Sequence, residues 1–312
     1  MPTRTKHFAL SIAVAMLTLT LWAQQPPAHS QGTPQRGPAS LRESVSSIQE
    51  RQKITPPGPF KFGAHPKRNE RRRDNPQNPA ARPEAFWPPR PSGPGIPQPT
   101  VQQPATQTSV EQPTGKPGVP SIYASYTIGT SFTGATLSGT NPTFAFPPDS
   151  MGAVGPTQYI VAVNGRIVSF NKTTGVADGV INATTNTFFN SVRNASGTSD
   201  PRIRYDRLSQ RWFVVIINVS TPNRILIAVS NTSTITLATI FTFFFIPIDS
   251  TLPTIPNTCL ADYPTLGIDA NALYIGTNNF CGSPSQTYHS SDGYVIRKSD
   301  LLAGTLTVTP FR

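Results

Sequence analysis

One stretch of this chain reads Asp200-Pro-Arg-Ile-Arg-Tyr-Asp206, then, after a polar turn, Arg211-Trp-Phe-Val-Val-Ile-Ile-Asn218 and Arg224-Ile-Leu-Ile-Ala-Val-Ser230. Short runs rich in Val and Ile that turn residues separate predict β-strands. A fourth run, Ile240 to Ile248, is too short to span a bilayer, and its β-branched and aromatic residues predict another strand. The stretch therefore predicts one four-stranded sheet.

The same order of features occurs three times, at spacings of roughly 50 to 60 residues, a period typical of repeat folds. The first unit opens at Asp149 and the third at Asp262. In the first unit, Asn164-Gly165 separates two apolar runs and predicts a two-residue hairpin turn. Units of several strands that cannot bury their faces alone are typical of radially repeated sheets. The sequence thus predicts an all-β fold, a partial β-propeller of about three four-stranded blades over residues 121–312.

Three blades do not close a ring, because propellers have roughly four to eight blades and the last pairs with the first. We therefore expect an incomplete or truncated version of a longer protein. A complete small β-sandwich is the competing interpretation of the same strands.

The N-terminus predicts export. Arg4 and Lys6 precede the uncharged run from Phe8 to Ala23, which is shorter than the roughly 20 residues of a membrane-spanning helix. Residues 1–23 are therefore interpreted as a signal peptide, with an uncleaved anchor as the alternative. Either way, we expect the rest of the protein to be secreted or at the cell surface.

Residues 24–120 contain most of the 34 prolines and only isolated apolar residues. Such a composition buries too little surface to offset about 1 to 2 kcal/mol of backbone entropy per ordered residue. We expect a disordered, Pro-rich, basic linker, with Leu41–Lys53 as at most a transient helix. The linker would space the propeller from its point of attachment.

The net charge of +11 belongs mainly to this linker. Its densest cluster consists of Lys67, Arg68, Arg71, Arg72 and Arg73. The cluster is a candidate contact for an anionic cell-wall polymer, and the alternative is a solvated run that only keeps the linker soluble. No aromatic residues alternate with these charges to stack bases, so no nucleic acid is expected as a partner. Membrane contact is expected only through an uncleaved signal.

The two cysteines, Cys259 and Cys281, flank a predicted strand of an exported chain. A disulfide is the expected pairing, worth roughly 3 kcal/mol for a loop of this size. A metal site is the weaker alternative, because no His or third Cys lies at ligand spacing.

Asp149, Asp200 and Asp262 open the three units and should meet around a common axis. Such a rim of carboxylates is a candidate site for Ca²⁺ or for sugar hydroxyls. The alternative is that each Asp caps backbone N–H groups at the entry to a strand. Asp206 and Asp269, at the far ends of the same strands, are expected to form turns.

An enzymatic role meets an obstacle in composition. From Ser121 onward the chain has no Glu and one His, His289. Glycoside hydrolysis would need two Asp residues as the carboxylate pair, and no motif supports that choice.

Three segments resemble a family of large, mostly uncharacterised secreted bacterial propeller proteins, namely Pro147-Pro-Asp-Ser-Met-Gly-Ala-Val-Gly-Pro156, Asp200–Asp206, and Asp262-Tyr-Pro-Thr-Leu-Gly267. The resemblance covers about half of the chain and implies a fold related to the sialidase propellers. It does not extend to their repeated Asp-box, Ser-x-Asp-x-Gly-x-Thr-Trp. The nearest stretch, Tyr205 to Trp212, lacks the Gly and Thr.

Taken together, the sequence predicts an exported β-propeller that binds an extracellular glycan or cell-wall polymer. The alternatives are a sialidase-like glycoside hydrolase and an inactive fragment. No cofactor is expected beyond the Ca²⁺ considered for the acidic rim.

Overall fold

The computed structural model describes residues 32–55, 129–248, 259–282 and 287–311. In chain order, its elements are β1 (Gln35–Arg36), β2 (Leu41–Ser44), α1 (Val45–Ile54), β3 (Met151–Val154), β4 (Gln158–Val163), β5 (Arg166–Asn171), β6 (Ala177–Ala183), α2 (Thr185–Phe188), β7 (Thr198–Asp206), β8 (Arg211–Asn218), β9 (Arg224–Ser230), β10 (Ile240–Pro247), β11 (Leu260–Asp262), β12 (Gly267–Ile268), β13 (Ala272–Cys281), β14 (Thr287–Arg297), α3 (Lys298–Leu302) and β15 (Thr307–Phe311).

These strands form three antiparallel sheets, none of which is closed within the described ranges. Sheet I has the order β3-β4-β5-β6, and sheet II has the order β2-β10-β9-β8-β7. Sheet III has the order β1-β15-β14-β13-β11, and β12 also pairs with β13. The prediction of an all-β fold is confirmed, and each predicted unit supplies the consecutive strands of one sheet.

The hairpin between β4 and β5 shows how the sequence sets the register. Val163 pairs with Arg166, so Asn164 and Gly165 form a two-residue turn as predicted. Gly165 has a φ of 83°. A Cβ atom there would lie 2.3 Å from the carbonyl oxygen of Thr143. The turn therefore needs glycine for both its backbone conformation and its close contact.

Sheet II lies between the other two sheets and buries both of its faces. Along β8, the side chains in the core shared with sheet I are Trp212, Val214 and Ile216. Those in the core shared with sheet III are Phe213, Val215 and Ile217. Successive side chains of a strand point to opposite faces, so this uninterrupted apolar run fits a central sheet. Sheets I, II and III thus stack in chain order.

Residues 32–55, which we call the clasp, differ from the predicted disordered linker. Strand β1 pairs with β15 at the outer edge of sheet III, and β2 pairs with β10 at the outer edge of sheet II. Val45 and Ile48 of α1 are each only 1% exposed, within the core between sheets I and II. The clasp therefore contacts all three sheets, and the predicted linker 24–120 is not uniformly disordered.

Tertiary contacts explain why α1 is a stable helix although its sequence predicted at most a transient one. The Gln49 side chain donates to the Val180 carbonyl at 2.9 Å, and the side-chain oxygen Oε1 of Gln52 accepts from the Thr184 N–H at 2.7 Å. Ser44 caps the helix by accepting from the Ser47 N–H at 3.1 Å. A ten-residue helix is marginal alone in water, so these contacts with sheet I stabilise it.

Two further contacts hold sheet III in place. A disulfide joins Cys259 to Cys281, and both cysteines belong to the core between sheets II and III. The Lys298 ammonium donates to Asp206 Oδ2 at 2.9 Å and also to the carbonyl of Asp269. Lys298 and Asp206 are both buried, so this ion pair links the end of β7 to the start of α3, and the second hydrogen bond links α3 to the turn after β12.

Other predictions lie outside the described residues. They include the signal peptide 1–23 and the basic cluster of Lys67, Arg68, Arg71, Arg72 and Arg73. Within the described part of the chain, no helix is long and apolar enough to cross a membrane.

Candidate functional site

The first strand of each unit contains the same irregularity near its start. In sheet II, Ser199 pairs with Ile217 and Arg202 pairs with Val215, so Asp200 and Pro201 together face one residue of β8. The first residue of this β-bulge, Asp200, has a φ of 60°. Bulges with a left-handed first residue redirect side chains and are common near functional sites.

Sheets I and III repeat this bulge. In sheet I, Met151 pairs with Ala162 while the Asn164 N–H donates to the Pro148 carbonyl, which places the extra residue at Asp149. In sheet III, Asp262 pairs with Asn278 while the Thr265 N–H donates to the Gly276 carbonyl. The left-handed residues are Asp149 at 42° and Tyr263 at 50°. The structural equivalents are therefore Asp149, Asp200 and Tyr263.

This equivalence changes the predicted acidic rim. Asp149 and Asp200 occupy matching positions, but Asp262 lies one residue before the matching position in its unit, where Tyr263 stands instead. The Asp262 side chain makes no hydrogen bond or ion pair within the described residues. The structure thus brings together two carboxylates and a tyrosine, not three carboxylates.

We call the carboxylates of Asp149 and Asp200 the acid pair, and Asn164 connects these two residues. Its side-chain amide donates to Asp149 Oδ2 at 2.6 Å and to the Pro147 carbonyl at 3.0 Å. The side-chain oxygen Oδ1 of Asn164 accepts from the Asp200 N–H at 2.7 Å. The Tyr263 N–H donates to Asp200 Oδ2 at 3.2 Å. The acid pair is therefore the point at which residues of all three sheets meet.

Within the acid pair, Asp149 has a perturbed pKa. The pKa of Asp149 is raised from 3.8 to about 6 by burial, by a side-chain hydrogen bond with Asp200 and by the charge of Asp200. The hydrogen bond from Asn164 and the charge of Arg202 oppose the increase. The Asp149 carboxyl therefore keeps its proton to a higher pH than an ordinary Asp, because burial and the adjacent carboxylate disfavour its ionised form.

Arg202 and Tyr263 flank the acid pair. The guanidinium carbon of Arg202 lies 4.3 Å from the centre of the Tyr263 ring, a distance typical of a cation–π contact. Arg202 is only 6% exposed, whereas Tyr263 is 53% exposed. The arginine therefore covers part of the tyrosine while much of the tyrosine remains accessible to solvent.

Asp206 and Asp269 form turns, as the sequence predicted. Asp206 accepts from the N–H groups of Leu208 and Ser209. Burial alone would raise the pKa of Asp206, but hydrogen bonds from Ser209, Lys298 and the backbone hold it below its ordinary value. Asp269 accepts from the N–H groups of Ala272 and Asn271, which lower its pKa.

The site combines hydrogen-bonding groups, a cation and an aromatic ring. No three His, Cys, Asp or Glu side chains come together within the described ranges. The acid pair with Asn164 offers hydrogen-bond acceptors and a donor, Arg202 offers a cation, and Tyr263 offers an aromatic face. These groups suit a polyhydroxylated ligand.

Sequence patterning missed the bridging role of Asn164 and the position of Tyr263 beside the acid pair, although Tyr263 was one of several aromatic residues considered for stacking against sugars. Asn164 was interpreted only as a turn residue, although it is fully buried and bridges the acid pair. For Tyr263 a signal does exist, because Asp200-Pro201 matches Tyr263-Pro264 when the units are aligned on the proline.

The chain matches no protein-family model, no curated protein and no solved structure.

Proposed function

We infer that this protein is an exported binding module whose three sheets are blades of a β-propeller, and that it binds a neutral glycan at the acid pair. The propeller arrangement is supported by three sheets of consecutive strands that stack in chain order and share their hydrophobic faces. The bulge that recurs in the first strand of every sheet supports it too.

The strained, exposed Tyr263 is the observation that carries the proposal. A bulky residue with a φ of 50° is uncommon and costs of order 1–3 kcal/mol, so the surrounding structure must impose it. Such outliers cluster at ligand sites. Its exposed ring offers a stacking surface for a sugar, and the acid pair beside it accepts hydrogen bonds from hydroxyl groups.

The acid pair fits binding better than glycoside hydrolysis. Hydrolases need their two carboxyl groups about 5 to 9.5 Å apart, with the sugar between them. Here Asp200 lies close enough to Asp149 to raise the pKa of Asp149 through hydrogen bonding and charge. Asp200 is also only 3% exposed. A buried carboxylate directly beside its partner has poor access to a scissile bond.

A glycan array probed with the full chain tests the proposal. We expect binding to neutral glycans that the Tyr263→Ala variant weakens about tenfold, because the stacking surface is removed. The control is Tyr274→Ala, which removes another tyrosine of sheet III that is 41% exposed. An equal loss in both variants, or no binding to any glycan, would contradict the proposal.

Two companion assays separate the alternatives. Turnover of fluorogenic glycosides that Asp200→Asn abolishes would favour the hydrolase. The Ca²⁺ prediction is tested by calorimetry with CaCl₂, and it fails if there is neither heat nor a thermal shift.

A further inference from the structure

The far end of β7 differs in charge from the acid pair. Asp200 and Asp206 are six residues apart, which corresponds to roughly 20 Å along a strand. Near Asp206, the turn to β8 carries exposed Arg207, and Arg204 and Arg211 flank it. Lys172, in the turn after β5, approaches from sheet I. The end of β7 that carries Asp206 is therefore surrounded by basic residues.

The carboxylates closest in sequence do not neutralise these cations. Asp206 is already occupied by Lys298 and by the Ser209 hydroxyl. Asp178 accepts hydrogen bonds from Gln158 and Ser169. No ion pair joins Lys172, Arg204, Arg207 or Arg211 to an acid of the described ranges. An anion from solution would supply the missing charge.

Two of these cations, Lys172 and Arg207, line a cavity of about 360 Å³, and we call it the basic cleft. It is bounded by Gly155 and Lys172 of sheet I and by Tyr205, Arg207 and Gln210 of sheet II. The Lys172 ammonium donates to the Gly155 carbonyl at 3.2 Å. The cleft thus combines cations from two sheets with a tyrosine and an amide.

The floor of the basic cleft is held rigidly. The rings of Tyr205 and Trp212 lie 5.0 Å apart, and the Trp212 indole donates to the Ser233 carbonyl at 2.8 Å. A Cβ atom on Gly155 would lie 2.3 Å from Trp212 Cζ2, so only glycine lets the chain pass this close. A preorganised floor lowers the entropic cost of binding.

We propose that the basic cleft binds an acidic glycan, with its carboxylate or sulfate group between Lys172 and Arg207 and its sugar ring against Tyr205. The charge complementarity rests on cations without acidic partners on the protein, and the aromatic floor suits a sugar rather than a bare ion. The basic cleft is separate from the acid pair, whose negative charge disfavours the same ligand.

The test is calorimetry of the full chain with three probes, namely oligogalacturonate, dextran sulfate oligosaccharide and neutral maltoheptaose. We expect one or both acidic probes to bind, and any heat from the neutral probe to be unaffected by substitutions in the basic cleft. The variant Lys172→Gln with Arg207→Gln should weaken acidic binding about tenfold or more, because charge-assisted hydrogen bonds are lost. Comparing the two acidic probes identifies the anionic group.

The matched control is Arg36→Gln with Arg42→Gln, which removes two exposed cations of the clasp and the same total charge. It should change affinity less than about twofold, since long-range attraction is largely screened by salt. Equal losses in both double variants, or no binding of either acidic probe to the unmodified chain, would overturn the proposal. Tyr263→Ala should leave acidic binding intact, so the two proposed sites fail independently.

Discussion

The raised pKa of Asp149 predicts a specific dependence of stability on pH. The folded protein binds a proton at Asp149 more tightly than the unfolded chain does, because its pKa rises from 3.8 to about 6 on folding. That contribution is complete below pH 3.8 and is lost as the pH rises through 6. Replacing Asp149 with Asn removes the titration while keeping a group that can donate to Asp200.

The size of the effect follows from the shift. One pKa unit corresponds to about 1.4 kcal/mol, so the shift of Asp149 sets an upper limit of about 3 kcal/mol. Asp149 is only partly buried, and solvent screening reduces this to about 1–2 kcal/mol. We therefore expect Asp149→Asn to raise the free energy of unfolding by about 1–2 kcal/mol at pH 7.5 and by about a third of that amount at pH 4.5.

Urea denaturation followed by circular dichroism at pH 4.5, 5.5, 6.5 and 7.5 measures this. The control is Asp262→Asn, which removes the carboxylate of sheet III that makes no side-chain hydrogen bond among the described residues. Its profile should run parallel to that of the unmodified chain. The reasoning is refuted if Asp149→Asn keeps the unmodified pH dependence between pH 4.5 and 7.5.

Three further changes test the fold. Gly155→Ala should lower the free energy of unfolding by about 1–3 kcal/mol, because its Cβ would lie 2.3 Å from buried Trp212. A Cβ on Gly129 would have no atom within 4 Å, so Gly129→Ala should leave the urea midpoint unchanged. Ile48→Ala should lower the free energy of unfolding by about 2–5 kcal/mol, because it removes a buried side chain of the clasp. Ile54→Ala, in the same helix but 82% exposed, should change it little. Equal urea midpoints for the two variants would contradict a docked clasp. Reduction of the Cys259–Cys281 disulfide should lower the free energy of unfolding by roughly 3 kcal/mol, and an unchanged midpoint in dithiothreitol would count against that contribution.

The strands could be predicted because both faces of sheet II are buried. A run such as Trp212 to Ile217 is apolar at every position, and its limits are marked by turn residues. The clasp could not be predicted in the same way. Its helix buries only Val45 and Ile48, and its other contacts are polar side chains that bond to backbone groups of distant residues. Nothing in the local pattern identifies those partners.

The site was half predictable for a related reason. Asp149 and Asp200 were found because repeated units place equivalent residues together. The equivalence of Tyr263 to these two residues was not predicted, since the spacing was counted from Asp262 and the bulge shifts the equivalent position by one residue. Bulges arise from strand register, which depends on the partner strand, so residue spacing in one strand does not reveal them.

The clasp also changes what the Pro-rich segment can do. A spacer would have to lie between the attachment point and the first docked element, but the clasp docks from Gly32 onward. If residues 1–23 were retained as an anchor, only 24–31 would separate the anchor from the clasp, a reach of at most about 30 Å. Residues 56–128 lie in the chain between α1 and the segment that precedes β3. The clasp therefore divides the predicted linker, so residues 24–120 do not form one continuous spacer between an attachment point and the sheets.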